Sequence, residues 1–357
     1  MSPTRYQWVD ALRGLAAFSV LLWHYQHFFM PTAGEPPHFA SRGEQPLYAI
    51  FQLFYEHGGS HADGGIAVET FWAISGFVFS HIYSHQKPGL RQFLIARFAR
   101  LYPLHFATLI LVTALQALSV WLTGHFQIYP ANDSYHFMLH LGFASGWGLA
   151  HGWSFNAPIW SVSLEILVYL LFWLLLPILR SYGVWAGLSL ALIFKLGILG
   201  GLDHAFWSAG LYFFSGVFMH QSLQAPPKGV PQKILWGLLI VGLCLWPHPE
   251  RTLLYLLPLT LLRLAIWLDQ KNPRPGHSMP IGMMADTTYG TYLLHVPLQI
   301  TLILIMEAWG IQRYETVSMP AFLIGYLCLL YGLSFLSHRW FEHPLQRGIL
   351  RRFALPS

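Results

Sequence analysis

Ten apolar runs, separated by mostly short polar segments, limit what this chain can fold into. They have the length and composition of helices that cross the roughly 30 Å of hydrocarbon in a bilayer. Charged residues make up only 10% of the chain, against about 25% in a soluble domain. The sequence therefore predicts an all-α, polytopic membrane protein with about ten transmembrane helices, as one integral-membrane domain over residues 1–357. The runs lie at about residues 9–30, 66–84, 104–123, 158–179, 183–201, 205–223, 234–247, 252–268, 288–308 and 320–337.

The positive charges orient this predicted bundle. Most of the 20 lysines and arginines fall on one side when the N-terminus is placed in the cytoplasm, which is the positive-inside pattern. Both termini are therefore predicted to be cytoplasmic, and the basic pI of about 9.2 needs no nucleic-acid partner. The first apolar run lacks a cleavage site, so we interpret it as a retained span rather than a signal peptide.

The stretch RGLAAFSVLLWH in the first run carries ionisable residues at both ends. Arg13 and His24 are eleven positions apart, which places them on one helical face about 16 Å apart. Asp10 lies one turn before Arg13 and is positioned to pair with it, although both could instead reach the inner membrane interface. His24 is expected about 22 Å deep, where an imidazole serves as a general base or a nucleophile.

Two further stretches carry charge at predicted membrane depths. Glu165, in WSVSLE, is expected at a depth similar to that of His24, where it would fix the imidazole tautomer; the alternative partner is Ser161, one turn earlier. The segment RQFLIARFARLYP is interpreted as an inner loop. Its residues Arg97 and Arg100 have guanidinium forks that suit phosphate oxygens, although the positive-inside rule alone also explains them.

The ninth run contains a histidine with a tyrosine one turn before it. Counting from the start of this run places His295 about 10 Å above the inner surface, so that it matches Arg13 rather than His24 in depth. Tyr292 lies three residues earlier, and a simple packing role is the alternative for the histidine. No HExxH or comparable spacing occurs, so no metal site is predicted.

Two predicted outer segments, residues 31–65 and 124–157, are longer than ordinary connections. Long structured loops are uncommon unless they are functional, although their tryptophans also suit anchoring at the membrane interface. The second segment contains a short amphipathic stretch near YHFMLHLGF.

Taken together, the motifs resemble those of the acyltransferase-3 family, the integral-membrane O-acyltransferases of bacterial surface glycans and small molecules. The chain departs from the usual pattern at Glu69, Ile166 and Thr288, where the family often has aspartate, a second acidic residue and serine. The matching stretches, in order from residue 9 to 347, are VDALRGLAAFSVLLWH, VETFWAISGF, RFARLYP, WSVSLE, TYGTYLLHVP and WFEHPLQR.

The resemblance implies acyl-coenzyme A, with acetyl as the default group, as a cytoplasmic donor, and a carbohydrate hydroxyl as the acceptor outside. It also implies the inner membrane of a bacterium. The expected catalytic residues are His24, Arg13, Glu165 and Asp10, with His24 as general base or transient acyl carrier, and the expected donor-binding residues are Arg97, Arg100, His295 and Tyr292. A thioester is already activated, so no metal is needed.

The alternative from another class is a proton-coupled transporter or flippase of a glycan-type solute, because buried Arg, His and Glu residues also build proton relays.

Overall fold

The computed structural model describes residues 6–35, 65–84, 88–202, 205–224, 231–244, 252–271 and 279–353. All regular elements in these ranges are helical, which confirms the all-α prediction. Most of the predicted outer segment 31–65 lies outside the described residues. The helices are α1 (Gln7–His24), α2 (Gly65–Tyr83), α3 (Leu90–Thr123), α4 (Ser134–Leu141), α5 (Trp160–Tyr182), α6 (Val184–Leu199), α7 (Ala205–Gln224), α8 (Gln232–Cys244), α9 (Thr252–Lys271), α10 (Met279–Ala308), α11 (Arg313–Ser318), α12 (Pro320–Ser337) and α13 (His343–Arg352).

Five helical segments in the described part of the chain are long and apolar enough to cross a membrane. The predicted count of ten spans and the cytoplasmic placement of both termini stay predictions. The five segments are Gly65–Tyr83, Leu90–Thr123, Ala157–Tyr182, Asp286–Ala308 and Pro320–Arg352.

Two helix boundaries differ from the sequence-based expectation. Residues predicted as an inner loop form the first turns of α3, which begins at Leu90 and runs through Pro103. Hydropathy missed this start because arginines lower the apolar average, although arginine is a good helix former. The second difference is at α10, which begins at Met279 rather than near residue 288. Most of the amphipathic stretch YHFMLHLGF lies in helix α4.

The chain divides into two compact units, and each is described separately. The first unit comprises Met1–Ala16, Leu53–Gly89 and Leu164–Ala285, and the second comprises Ala17–Gln52, Leu90–Ser163 and Asp286–Ser357. The prediction of a single domain over residues 1–357 stays a prediction.

Close approach of α2 and α7 organises the first unit. A Cβ atom on Gly76 would overlap the Phe213 carbonyl oxygen, and one on Gly216 would overlap the Ala73 carbonyl oxygen. Helices in membranes associate through such small residues, because lipid gives no hydrophobic drive for them to pack together. The two glycines therefore let the helix backbones touch, and residues around them on α2 are held in fixed positions.

The second unit has an aromatic core that holds the end of α1. Beyond His24 the chain continues as a 3₁₀ turn, Tyr25–Phe29. Tyr25 is fully buried and donates a 2.7 Å hydrogen bond to the Val317 carbonyl, and its ring packs 5.8 Å from that of Tyr326 on α12. These contacts fix the direction in which the C-terminal turn of α1 presents its side chains.

Candidate active site

Three histidines of the second unit lie side by side in its interior. The ring centroid of His24 is 4.8 Å from that of His295 and 5.1 Å from that of His27. The exposed fractions of the three residues are 7%, 0% and 2%, respectively. We call these residues the histidine cluster; they are contributed by α1, α10 and the 3₁₀ turn after α1.

The contact between His24 and His295 corrects one prediction. Counted from residue 288, His295 was expected at the depth of Arg13. Because α10 begins at Met279, His295 lies about 24 Å along its helix, and His24 lies about 26 Å along α1 from Gln7. The prediction that His24 and His295 lie at different depths is therefore wrong. It arose because the helix was taken to begin where the chain becomes apolar, and the helical structure begins earlier.

The backbone determines the tautomer of His24. Its Nδ1 lies 2.8 Å from the carbonyl oxygen of Val20, one turn earlier on α1. A carbonyl oxygen only accepts hydrogen bonds, so Nδ1 carries the proton and Nε2 is the basic nitrogen of the neutral ring. This is the tautomer that a general base or an attacking nucleophile acting through Nε2 requires.

Gln299 connects His24 with His27. Its Nε2 donates to the His24 carbonyl at 3.0 Å, so its Oε1 faces His27 and accepts from Nδ1 of that ring at 2.9 Å. The other nitrogen of His27, Nε2, lies 3.3 Å from the hydroxyl of Tyr129. Burial raises the pKa of Tyr129 well above its ordinary value, with a smaller contribution from Tyr292. Tyr129 therefore stays protonated and donates a hydrogen bond to Nε2 of His27.

His295 differs from its two neighbours. Neither of its ring nitrogens makes a hydrogen bond within the part of the chain that the structure describes, and both are fully buried. The carbonyls of Thr291 and Tyr292, one turn earlier, are within electrostatic reach but outside hydrogen-bond geometry. A buried polar group without a partner costs free energy of roughly 1–3 kcal/mol. The ring is therefore suited to receive a polar group of a bound molecule.

Tyr292 has a clear packing role. Its hydroxyl donates to the Pro158 carbonyl at 2.7 Å and lies 2.8 Å from the Ser161 hydroxyl. These bonds tie α10 to the start of α5. The hydroxyl proton of Tyr292 is thus already donated in a hydrogen bond. The predicted role of Tyr292 in binding the acyl donor stays a prediction.

The two arginines of the RFARLYP motif lie on one face of α3. They are three residues apart in a continuous helix, a spacing that makes side chains neighbours. Arg97 is half-buried and Arg100 is exposed. Arg100 is close enough to Glu342 to interact with its carboxylate electrostatically. This end of α3 therefore offers two guanidinium groups, as the phosphate-binding hypothesis requires.

Glu342 brings two sequence motifs together. It ends a π-helical turn, His338–Glu342, and its Oε1 accepts a 2.9 Å hydrogen bond from Ser337. A Cβ atom on Gly290 would lie 3.1 Å from the same oxygen. The WFEHPLQR and TYGTYLLHVP stretches are therefore in contact, and Gly290 leaves room for the carboxylate.

The first unit holds the remaining predicted residues. Arg13 pairs with Asp10 at 3.5 Å, as the spacing predicted. Glu165 accepts hydrogen bonds from Ser75 at 3.0 Å and from Tyr169 at 2.9 Å. These partners hold the carboxylate, and the alternative partner Ser161 stays a prediction. The pairing of Glu165 with His24 stays a prediction.

Three residues around these groups were missed from the sequence, namely His27, Gln299 and Tyr129, whereas Ser75 lies in the matching stretch VETFWAISGF. The spacing of His27 from His24 and of Gln299 from His295, three and four positions, was an available signal. Tyr129 lies in the loop between α3 and α4, and no local pattern points to it. No group of three or more His, Cys, Asp or Glu residues in the described ranges is arranged to hold a metal ion.

Removing the Gln299 amide is expected to lower turnover without affecting donor affinity. Gln299→Leu removes the bonds that Gln299 makes to the His24 carbonyl and to Nδ1 of His27, so we expect kcat to fall about tenfold while the donor KM stays unchanged. The matched control is Gln116→Leu, because Gln116 is equally buried but bonds to Gln127. Equal losses of kcat per folded molecule in both variants would exclude a positioning role for Gln299.

The arrangement defines a class of protein: a helical membrane protein with a buried, internally connected histidine cluster. Residues 6–339 match the family model described as "Acyltransferase domain". The chain therefore belongs to the acyltransferase-3 family.

One curated relative adds limited detail. The chain is 33% identical over 118 residues to a protein of Rhizobium radiobacter described as "Protein 2 in picA locus". This match covers 31% of the chain and 46% of that protein, so the chain spans about half the length of this relative. No solved structure matches the chain.

Proposed function

We propose that this protein transfers an acyl group, by default acetyl, from cytoplasmic acyl-coenzyme A to a hydroxyl of an extracytoplasmic glycan at the inner membrane of a bacterium. Family membership supports acyl transfer in general. The observation that carries the proposal is the histidine cluster, in which the basic nitrogen of His24 lies on a ring next to the unpartnered His295.

In the first form of the reaction, His24 acts as a general base. Its Nε2 takes the proton of the acceptor hydroxyl as the oxygen attacks the thioester carbonyl. The carbon–sulfur bond breaks, and the coenzyme A thiolate takes the proton back from the imidazolium. The products are the glycan ester and the free thiol, and His24 returns to its neutral tautomer.

In the second form, His24 carries the acyl group for a time. Nε2 attacks the thioester and the coenzyme A thiolate leaves. The acceptor hydroxyl then attacks the acyl-imidazole, the bond between Nε2 and the acyl carbon breaks, and the hydroxyl proton passes to the thiolate, which gives the ester and the free thiol. Both forms use the same nitrogen. Trapping an acyl group on His24 in the absence of acceptor distinguishes them.

Two charged groups of the first unit complete the proposal. Glu165 would stabilise the imidazolium, and the bonds from Ser75 and Tyr169 hold its carboxylate in a defined orientation. Arg13, paired with Asp10, would place positive charge along the path of the donor phosphates.

The donor is proposed to bind through Arg97 and Arg100, with His295 and Tyr292 further along. Replacing both arginines by alanine is expected to raise the donor KM by at least about tenfold, because charge-assisted bonds to phosphate are lost, and to change kcat little. Arg91→Ala is the control, since Arg91 lies on the same helix but against the Phe353 ring at 5.6 Å. An unchanged donor KM in the double variant would remove this assignment.

The direct test is an assay on membranes that contain the full-length protein. Acetyl-coenzyme A should release more than one equivalent of free thiol per protein molecule only when acceptor glycan is present, and mass spectrometry should find a new acetyl ester on the glycan. Loss of that ester from cells lacking the gene would identify the acceptor. Absence of both thiol release and ester formation would overturn the proposal.

A proton-coupled transporter or flippase is the second candidate. Three adjacent buried imidazoles, with Tyr129 bonded to one of them, are also what a proton relay requires. Solute movement into vesicles that depends on His24 and proceeds without ester formation would favour this alternative.

A further inference from the structure

Two helical segments of the second unit are longer than a membrane crossing requires. Leu90–Thr123 has 34 residues and Pro320–Arg352 has 33. At about 1.5 Å per residue each is about 50 Å long, which exceeds the roughly 30 Å of hydrocarbon and is close to the roughly 40–45 Å of a bilayer with its head groups. Charged side chains are costly in hydrocarbon, so the arginine-rich ends, the first turns of α3 and α13, lie beyond it. On the predicted topology both ends are cytoplasmic.

These two ends pack against each other. The guanidinium of Arg91, in the first turn of α3, lies 5.6 Å from the ring centre of Phe353, which follows α13, and Leu350 of α13 is buried. α13 therefore ends where α3 begins. The free N–H groups at the start of α3 offset the partial negative charge at the end of α13. The charge of this region is therefore set by its side chains.

The exposed side of α13 is basic. Arg347 and Arg351 are four residues apart, so they are neighbours on the helix surface, and Arg352 follows directly. All three are exposed, and none of them forms an ion pair with a carboxylate of the ranges that the structure describes. α13 contains no acidic residue. Glu342, just before it, is half-buried and accepts a hydrogen bond from Ser337.

Exposed apolar side chains lie on the same two ends. On α3, Leu90, Leu94 and Phe98 are exposed and recur every four residues along one face. The row continues into the apolar part of α3, where Phe106 is also exposed. Trp340, in the π-helical turn before α13, is 69% exposed. An apolar row that runs out of the hydrocarbon beside arginines and a tryptophan is typical of the membrane interface, not of a surface in bulk water.

We propose that α13 and the first turns of α3 dock on anionic phospholipid head groups of the leaflet in which they lie. Arg347, Arg351 and Arg352 contact the lipid phosphates, and Trp340 lies at the boundary of the acyl chains. Grouped arginines directly after a membrane-spanning helix favour acidic lipids, by roughly fivefold for each arginine near the surface. The positive-inside rule explains the side on which arginines fall, but not their grouping on one helix beside exposed apolar residues. This docking goes beyond the proposed acyl transfer and does not depend on it.

The test uses the full-length protein in nanodiscs of phosphatidylcholine with a minor fraction of phosphatidylglycerol. Either lipid is supplied with brominated acyl chains, which quench nearby tryptophans, and the Trp340 signal is obtained by subtracting that of Trp340→Phe. At equal fractions, we expect brominated phosphatidylglycerol to quench Trp340 more than brominated phosphatidylcholine does. Arg347→Gln combined with Arg351→Gln should lower this preference at least about threefold, and added salt should lower it in the wild type. Equal quenching by the two lipids in the wild type would overturn the proposal.

The control removes the same number of positive charges elsewhere. Lys233 and Lys271 are exposed at the ends of α8 and α9, and replacing both by glutamine should leave the preference at Trp340 unchanged. An equal loss in this variant would show that net charge, rather than α13, attracts the lipid, and would contradict the proposal. Arg347→Lys combined with Arg351→Lys keeps the charge and should keep most of the preference. A loss as large as that of the glutamine variant would exclude docking by charge.

The acyl donor is the other phosphate-bearing molecule proposed to bind near this end, through Arg97 and Arg100. The donor KM is therefore measured on the same samples. A lower lipid preference with an unchanged donor KM in the α13 double variant supports lipid docking. An unchanged lipid preference with a raised donor KM would assign these arginines to the donor and overturn the proposal. The quenching is read without any turnover, so a wild-type protein that prefers phosphatidylglycerol but releases no thiol refutes the proposed function alone.

Discussion

Replacement of His24 by alanine is expected to lower the rate of thiol release from acetyl-coenzyme A by roughly 10²- to 10⁴-fold, the usual contribution of a general base. The substitution removes Nε2, which is the basic nitrogen of the His24 ring because Nδ1 carries the proton and donates it in a hydrogen bond to the Val20 carbonyl. A transient acyl carrier would be lost in the same way. The measurement is the rate of thiol release per folded molecule, with acceptor glycan present.

The control for His24 is another buried histidine of the second unit. His105 has an exposed fraction of 1%, and its Nε2 lies 2.7 Å from the His140 carbonyl. His105→Gln is expected to affect stability and to leave the rate per folded molecule near that of the wild type. A His24→Ala protein with less than a tenfold loss, or a comparable loss in the His105 variant, would refute the role of His24.

The second large effect is expected on folding, from Gly76→Leu. A side chain at this position would overlap the Phe213 carbonyl, so α2 and α7 would have to separate. Overpacking of this kind costs about 3 kcal/mol or more when backbone must move. We expect the variant to lose its cooperative unfolding transition in a denaturing-detergent titration.

Gly237→Leu is the control for Gly76. Gly237 lies in α8 of the same unit, and a Cβ atom there meets nothing within 4 Å. Its leucine variant should unfold at nearly the wild-type detergent fraction. If both variants unfold alike, close contact between α2 and α7 does not organise the first unit.

Hydropathy predicted the helical class because a lipid-embedded backbone must satisfy its hydrogen bonds within each segment. It predicted helix ends less well. The first turns of α3 contain arginines, and the first turns of α10 contain Asp286, so an apolar average places both starts too late. A helix begins where its backbone bonds begin, and this position need not be where the chain becomes apolar.

For the candidate site, sequence patterns predicted contacts within one helix better than contacts between helices. The Arg13–Asp10 pair followed from spacing within one helix, and the structure confirms it. The contact between His24 and His295 joins residues far apart in the chain, and the correct start of α10 was needed to infer it. Tyr129 comes from a loop, whose path is set by tertiary packing rather than by periodicity. Sequence therefore identified single residues, and the structure assembled the histidine cluster.

We propose that the histidine cluster transfers an acyl group across the membrane from a thioester to an alcohol. The most direct measurement uses sealed vesicles with the protein in one orientation, labelled acetyl-coenzyme A on the cytoplasmic side and acceptor glycan on the other. We predict that label appears as an ester on the glycan with the wild-type protein and not with His24→Ala. Ester formation that is unchanged by His24→Ala, or glycan movement across the membrane with no label attached, would contradict the claim.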